Sequence, residues 1–338
     1  MVRIENLENA KLSSKNGTYG GAAGFKDGII YDFELWMVKY PKNIEFMKGV
    51  APCTHSSSPL SEFIGSNIYG ILGYPVHKTI LGRRRNQLVV ACKDFVDNNY
   101  LMEIRTLKNH VTDYLGSELE KRNNELGQEC DMDIQSLLMH LEYNPILKDI
   151  PDIKERFWEQ AIIDIFINNN DRNNGNWGIL RSIHNIDRLA PIFDNGACLS
   201  TKVSEDKIIR LLSDEKLLKE SALSGVTAYY DNGKQLSIKQ FIKKFQVEED
   251  FAKAVLKVVP LIETKLRIIN DFINNIPTEY AFEDGYKLSI MSEERKEFYI
   301  KQMQIRLDTL LKPLYVDCVL YHLMDKSDST DFFKKKKV

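Results

Sequence analysis

Apolar positions along the chain change period near residue 98, and that change predicts its organisation. Before it the apolar runs are short. Residues 33–40 (Phe-Glu-Leu-Trp-Met-Val-Lys-Tyr) read as a buried strand, and residues 76–81 and 87–95 as two more around the polar tip Gly82-Arg83-Arg84-Arg85-Asn86. Between them Leu60, Phe63, Ile64, Ile68, Ile71 and Leu72 form one helical stripe. Ser58 suits an N-cap, Pro59 the first helical position and Gly73 the stop. After residue 98 the spacing becomes helical, over about 101–117, 132–142 and 152–168, with a charged, exposed stretch at 118–131. Helical periodicity returns over 204–220, 236–245, 248–274 and 292–325, where Pro313 predicts a kink or split. The pattern predicts an α+β fold of two lobes: a β-rich lobe over residues 1–97, a helical lobe over 98–325, and a disordered basic tail over 326–338.

One segment interrupts the helical half. Ile153, Phe157, Trp158, Ala161, Ile162, Ile165 and Phe166 mark a helix. Then comes Asn168-Asn169-Asn170-Asp171-Arg172-Asn173-Asn174-Gly175-Asn176, followed by two apolar runs, 177–180 and 189–193, suited to a hairpin that ends at Asp194. Asn, Asp and Gly clusters mark ordinary surface turns in most chains. A polar loop set between a buried helix and a buried hairpin is a different context. An Asp, an Asn five residues on and an Asp eighteen further are the polar set of a phosphoryl-transfer site. Asp171 would orient the attacking hydroxyl, and Asn176 and Asp194 would supply the few oxygens that Mg²⁺ asks of a protein.

The segment Asn-Asp-Arg-Asn-Asn-Gly-Asn-Trp-Gly with Ala-Pro-Ile-Phe-Asp-Asn-Gly resembles the catalytic and metal segments of HipA-like serine/threonine kinases, most closely the cell-translocating type of Helicobacter. The likeness runs over about residues 15–200 and is strongest over 168–199. It also takes in Gly20-Gly21-Ala22-Ala23-Gly24, Met-Val-Lys-Tyr-Pro around Lys39, and Val-Ala-Cys-Lys-Asp-Phe around Cys92 and Asp94. The resemblance implies a two-lobed kinase that uses ATP and Mg²⁺ on a protein Ser or Thr. In it the glycine loop would cover the phosphates and Lys39, braced by Glu62, would place them. Backbone groups near Cys92 to Asp94 would read the adenine edge. The chain departs from the pattern at Asn173, where such sequences often carry His.

Each residue has a plainer alternative. A lysine at a strand end can snorkel, Glu62 can complement a helix dipole, and three arginines at a hairpin tip can serve solubility. No Walker A pattern occurs, which excludes a P-loop NTPase. His110 and His140 have no partners at metal spacing, and His55 needs no special role.

Net charge is −2, which offers no footprint for bulk nucleic-acid or membrane binding. Cys53, Cys92, Cys130, Cys198 and Cys318 lack metal spacing and read as free thiols of a cytoplasmic protein. No signal-peptide pattern precedes them, and Lys334 to Lys337 read as a frayed tail. Two other functions fit the residues: a lipid or small-molecule kinase, and a non-catalytic nucleotide-binding module. Ser13, Ser14, Thr18 and Tyr19 beside the glycine loop are candidate sites of inhibitory autophosphorylation.

Overall fold

A computed structural model describes residues 2–19, 25–43, 56–127 and 132–323. Gly20 to Gly24, Cys53, His55, Cys130 and the basic tail lie outside these residues.

A six-stranded sheet is built from β1 (Ile4–Asn6), β2 (Lys11–Leu12), β3 (Lys26–Tyr31), β4 (Glu34–Lys39), β5 (Thr79–Arg84) and β6 (Gln87–Lys93), in the order β1-β5-β6-β4-β3-β2. Only β1, which lies parallel to β5, departs from antiparallel pairing. Strand period sorts the side chains. Trp36, Val38, Val89 and Ala91 enter a small core on one face with Leu7 and Ile29. Val90 and Cys92 enter the main core on the other face. Lys39, one residue from Val38, takes the main-core side.

Two expectations for this region are corrected. Phe33 is not in the buried strand: with Asp32 it forms the two-residue turn joining β3 to β4, both at positive φ (52° and 60°), and it is fully exposed. The arginine run is not a soluble tip. Arg85 and Asn86 make the turn, while Arg83 and Arg84 lie in β5 and are buried. Arg84 donates to Asp27 and to the Leu7 carbonyl, and Arg83 to Glu8 and Asp284. Strand β5 also starts at Thr79, three residues later than the periodicity suggests.

Helix α1 (Ser58–Ile71) packs on the main-core face and crosses into the helical half. Leu60, Phe63, Ile64 and Ile68 are buried, each contributing about 1.5–3 kcal/mol relative to exposure. Ser57, not Ser58, is the capping residue, and Pro59 is the second helical residue. Glu62 therefore lies beyond the first turn, and the dipole alternative loses its basis. Leu72 ends the helix and Gly73 follows at φ 85°, a conformation that suits glycine.

Beyond the sheet, the expected helix over 101–117 is instead strand β7 (Asn99–Glu103), a single turn α2 (Ile104–Leu107) and the start of α3 (Asp113–Leu126). The charged stretch from 118 is mostly the exposed part of α3. Helices α4 (Ile134–Tyr143) and α5 (Ile153–Ile167) follow, then the hairpin β8 (Gly178–Ser182) and β9 (Asp187–Leu189), which pairs with β7. The remainder holds α6 (Glu205–Leu212), α7 (Glu215–Leu223), a hairpin of β10 (Val226–Asp231) and β11 (Lys234–Ser237), α8 (Ile238–Phe245) and α9 (Glu249–Asn274). A further hairpin of β12 (Glu279–Ala281) and β13 (Lys287–Ser289) precedes α10 (Glu293–Arg306) and α11 (Lys312–Leu323). A π turn, Leu307–Leu311, joins these last two just before Pro313, so the helix absorbs the proline by local rewinding. Helix α9 packs along α5, and one continuous core runs from Ile4 to Cys318. Among the described residues no helix is long and apolar enough to cross a membrane.

Candidate active site

Helix α5 ends on Asn168, whose left-handed backbone (φ 54°) turns the chain into the polar loop. The loop is held from beneath by Arg172, which is 2 % exposed. Its guanidinium meets Asp164 at 2.9 and 3.1 Å, the carbonyls of Asn176 and Phe193 at 3.1 and 2.7 Å, and Asn195 Oδ1 at 2.6 Å. Asp164 also accepts from Tyr69 (2.8 Å) and Asn169 (3.1 Å). Burial alone would push the Arg172 guanidinium toward neutrality, but Asp164 outweighs it and holds the charge firmly. A single buried arginine thus ties helix, loop and hairpin together.

Above that platform Lys39, Cys92, Asp94, Asp171, Asn176 and Asp194 line one cleft of about 440 Å³, while Glu62 lines a neighbouring groove. Asp171 is exposed at its floor. Asn176 donates its amide to the Asp171 carbonyl at 2.5 Å, which leaves its Oδ1 for the cleft. Asp194 takes a left-handed backbone (φ 59°) and accepts from Lys39 Nζ at 2.9 Å. Lys39 also donates to Glu62 at 2.7 Å. Burial opposes the Lys39 charge, yet Asp194 and then Glu62 raise its pKa well above the ordinary lysine value. Burial likewise opposes Glu62 ionisation, and is outweighed by the Lys39 charge and a bond from His77, so its carboxyl stays well below the usual range.

Several residues of this site carried no readable sequence signal. His77 Nε2 lies 3.0 Å from both Glu62 Oε1 and Ser66 Oγ. Asn195 donates its backbone N–H to Glu62 (2.9 Å) and its amide to Ser66 (3.0 Å). These bonds join α1 to the segment after Asp194, and Gly65 allows the approach: a Cβ there would stand 2.8 Å from Cys198 Sγ. Only the spacing Glu62/Ser66, one helical turn, could have hinted that both face one partner.

In the segment expected to read adenine, the backbone groups of Cys92 and Asp94 are largely occupied. Cys92 sits mid-ladder, in register with Met37 and Thr79, so the sheet occupies its backbone while its side chain lines the cleft. The Asp94 N–H is bound to the Leu35 carbonyl at 2.8 Å. Among the described residues the Asp94 carbonyl and the Phe95 N–H accept and donate no hydrogen bond. The Asp94 side chain instead clasps the stretch that leads into the glycine loop, accepting from Lys15 (2.8 Å) and Tyr19 (3.0 Å). Cys92, Cys198 and Cys318 are buried free thiols, as the sequence suggested. His140 is buried and its Nδ1 lies 3.4 Å from the Asn144 amide.

No family model matches the chain. The serine/threonine-protein kinase CtkA of Helicobacter pylori is 30% identical over 290 residues, covering 85% of this chain and 83% of that protein. The crystal structure of the H. pylori proinflammatory kinase CtkA aligns with a TM-score of 0.77 at 27% identity, over 94% of this chain and 99% of that one. HipA of Shewanella oneidensis MR-1, solved with HipB and operator DNA, aligns with a TM-score of 0.46 at 12% identity, over 88% of this chain and 68% of that one. With that identity over so much of both chains, this protein belongs to the CtkA family and is a serine/threonine-protein kinase.

Proposed function

We propose that the enzyme transfers the γ-phosphoryl group of ATP, with Mg²⁺, to a Ser or Thr hydroxyl of a protein. The observation that carries this reading is the chain of contacts Asp194–Lys39–Glu62 at the edge of the cleft that Asp171 and Asn176 line. The donor set fits a hard cation: Asn176 Oδ1 is turned outward by its own amide bond, and the Asp194 carboxylate is half-buried at the same cleft. Mg²⁺ would be held by these two residues and would neutralise phosphate charge. Lys39 places the phosphates, held in line by Glu62 and, through it, by His77 and Asn195. Asp171 orients the acceptor hydroxyl and takes its proton. The Asp94 carbonyl and Phe95 N–H read the adenine edge, and the loop at Gly20 to Gly24 covers the phosphates. Residues 1–97 act as the nucleotide lobe and 98–325 as the catalytic lobe. A second groove of about 650 Å³ opens on the far side of Asp171, lined by Lys42, Ser56 and Thr201 among others, and receives the protein acceptor. We place the enzyme in the cytoplasm.

Transfer from labelled ATP to a generic protein acceptor tests the reading, with Asp171→Asn and Asp194→Ala alongside. Label on protein in the wild type and a loss of roughly a thousandfold in both variants supports it. Label on lipid or a metabolite instead, or ATP binding with no turnover, would favour the other two functions.

Autophosphorylation beside the glycine loop belongs to the same proposal, restricted by geometry. Ser13 is buried and Tyr19 is bonded to Asp94, whereas Ser14 and Thr18 are exposed. A phosphate on either exposed hydroxyl would add roughly two negative charges near the nucleotide. Phosphosite mapping after long incubation with ATP checks it, and an unmodified loop sinks it.

A further inference from the structure

Arg105 is the second residue of α2, where β7 passes the polar loop. Two backbone bonds fix this junction: Ile104 N–H to the Trp177 carbonyl (3.1 Å) and Arg105 N–H to the Asn174 carbonyl (2.8 Å). The Arg105 side chain is exposed and lines the cleft that holds Asp171, Asn176 and Asp194. Two other cations at this cleft have carboxylate partners, Lys39 with Glu62 and Asp194, Lys93 with Glu34. Among the described residues Arg105 makes no ion pair, and its side chain has one polar contact, Nη2 to Asn173 Oδ1 at 3.4 Å.

Asn173 makes that contact informative. Its Oδ1 accepts from the Gly175 N–H at 2.9 Å and faces Arg105, so its amide nitrogen is turned to the Asp171 carboxylate, 2.9 Å away. One amide therefore couples an exposed guanidinium to the Asp171 carboxylate. Gly175 leaves the room: a Cβ there would collide with Arg105 Nη2. Glu103 lines the same cleft and feels the Arg105 charge, but no ion pair ties the guanidinium down. An exposed cation beside a cleft that receives polyphosphate is poised to bind an anion.

We propose that Arg105 is a further catalytic residue that contacts the transferring phosphoryl group, and that Asn173 is the positioning residue that joins it to Asp171. In the step the acceptor oxygen bonds to the γ-phosphorus and the bond to the β-phosphate oxygen breaks. The hydroxyl proton passes to Asp171, and the electron pair leaves with ADP. Arg105 offsets the negative charge on the γ-oxygens as this happens. The inference rests on the site reading given above.

The test measures kcat and KM for ATP together with equilibrium binding of ADP, which lacks the γ-phosphate. Arg105→Ala is expected to lower kcat about a hundredfold while ADP affinity changes by less than about twofold. Arg105→Lys should recover part of the loss. Millimolar guanidinium should rescue Arg105→Ala in a saturable manner and leave Asp171→Asn unrescued. Gly175→Ala, which evicts the guanidinium, and Asn173→Ala should each lower kcat roughly tenfold. Combining Asn173→Ala with Arg105→Ala should cost less than the product of the two. A kcat within twofold of wild type in Arg105→Ala would overturn the proposal, as would a loss matched by equal weakening of ADP. An active Asp171→Asn enzyme would instead remove the underlying site reading, whatever Arg105 does.

Discussion

Asp194 and Asn195 are neighbours in sequence, yet each belongs to a different ionic cluster. Asp194 meets Lys39 at the cleft, where their side chains are 31% and 12% exposed. Asn195 meets Arg172 and through it Asp164, whose side chains are 2% and 7% exposed. The first cluster is wet, and the Asp194 bond to Lys39 is open to exchange. The second is sealed, and every acceptor around Arg172 is committed. Ion pairs near water contribute little and exchange readily, whereas a buried pair is expensive to break because the survivor is left uncompensated. The same pairing chemistry thus serves exchange at Asp194 and rigidity at Asn195.

Substitutions should separate these two roles. Arg172→Ala leaves Asp164 charged and buried, and should cost about 3–5 kcal/mol of folding stability in denaturant unfolding. Replacing both partners, Arg172→Met with Asp164→Leu, should cost clearly less than the single change. An equal or larger loss in the double variant would show that the pair stabilises on balance. Asp194→Ala should behave in the opposite way: roughly a thousandfold less transfer with a melting curve close to wild type.

Glu62 bridges the two clusters, since it accepts from Lys39 on one side and from the Asn195 backbone on the other. Glu62→Gln keeps the shape and removes the charge. It should lower kcat/KM by about 2 kcal/mol, or roughly thirtyfold, with a smaller stability change. Its folded pKa lies below the unfolded value. The stabilisation is therefore present above the unfolded pKa, about 4.3, and is lost as pH falls below it through the folded value. The wild type should lose stability more steeply than Glu62→Gln on acidification from about pH 5. Parallel acid-unfolding curves for the two would contradict this.

The smallest effect is expected at the clasp over the nucleotide mouth. Burial raises the Asp94 carboxyl, but bonds from Lys15, the Val96 N–H and Tyr19 bring it below its usual value. Tyr19→Phe removes one partly exposed bond. It should raise KM for ATP by about two- to fivefold, roughly 0.5–1 kcal/mol, with kcat unchanged. Stopped-flow nucleotide binding reads the change directly.

Strand and helix period placed Lys39 on a buried strand and Leu60 to Leu72 on a buried helix face, because period 2 and period 3.6 are local properties of the chain. The polar loop from Asn168 to Asn176 and the Asp194 position are legible for a similar reason, since donor identity and spacing are written in order, although the hairpin expected to run to Asp194 ends at Leu189. The arginine run was misjudged because sequence shows a charge but not its partner, and Asp27 and Glu8 lie dozens of residues away. The helix expected over 101–117 gives way at its start because β7 becomes a strand only by pairing with β8, which follows it by about 75 residues. His77 and Arg105 have no local signature at all, and nothing local marks the partners of Arg172 and Asn195.

The sequence by itself determined the fold class, the polar set around Asp171 and the lysine that faces it. Only the tertiary structure decided which carboxylates that lysine meets, which backbone groups near Phe95 stay unbonded, and which arginine is sealed and which left open to the cleft. Those are questions of distance and desolvation between segments far apart in the chain. Neither quantity exists until the chain has packed.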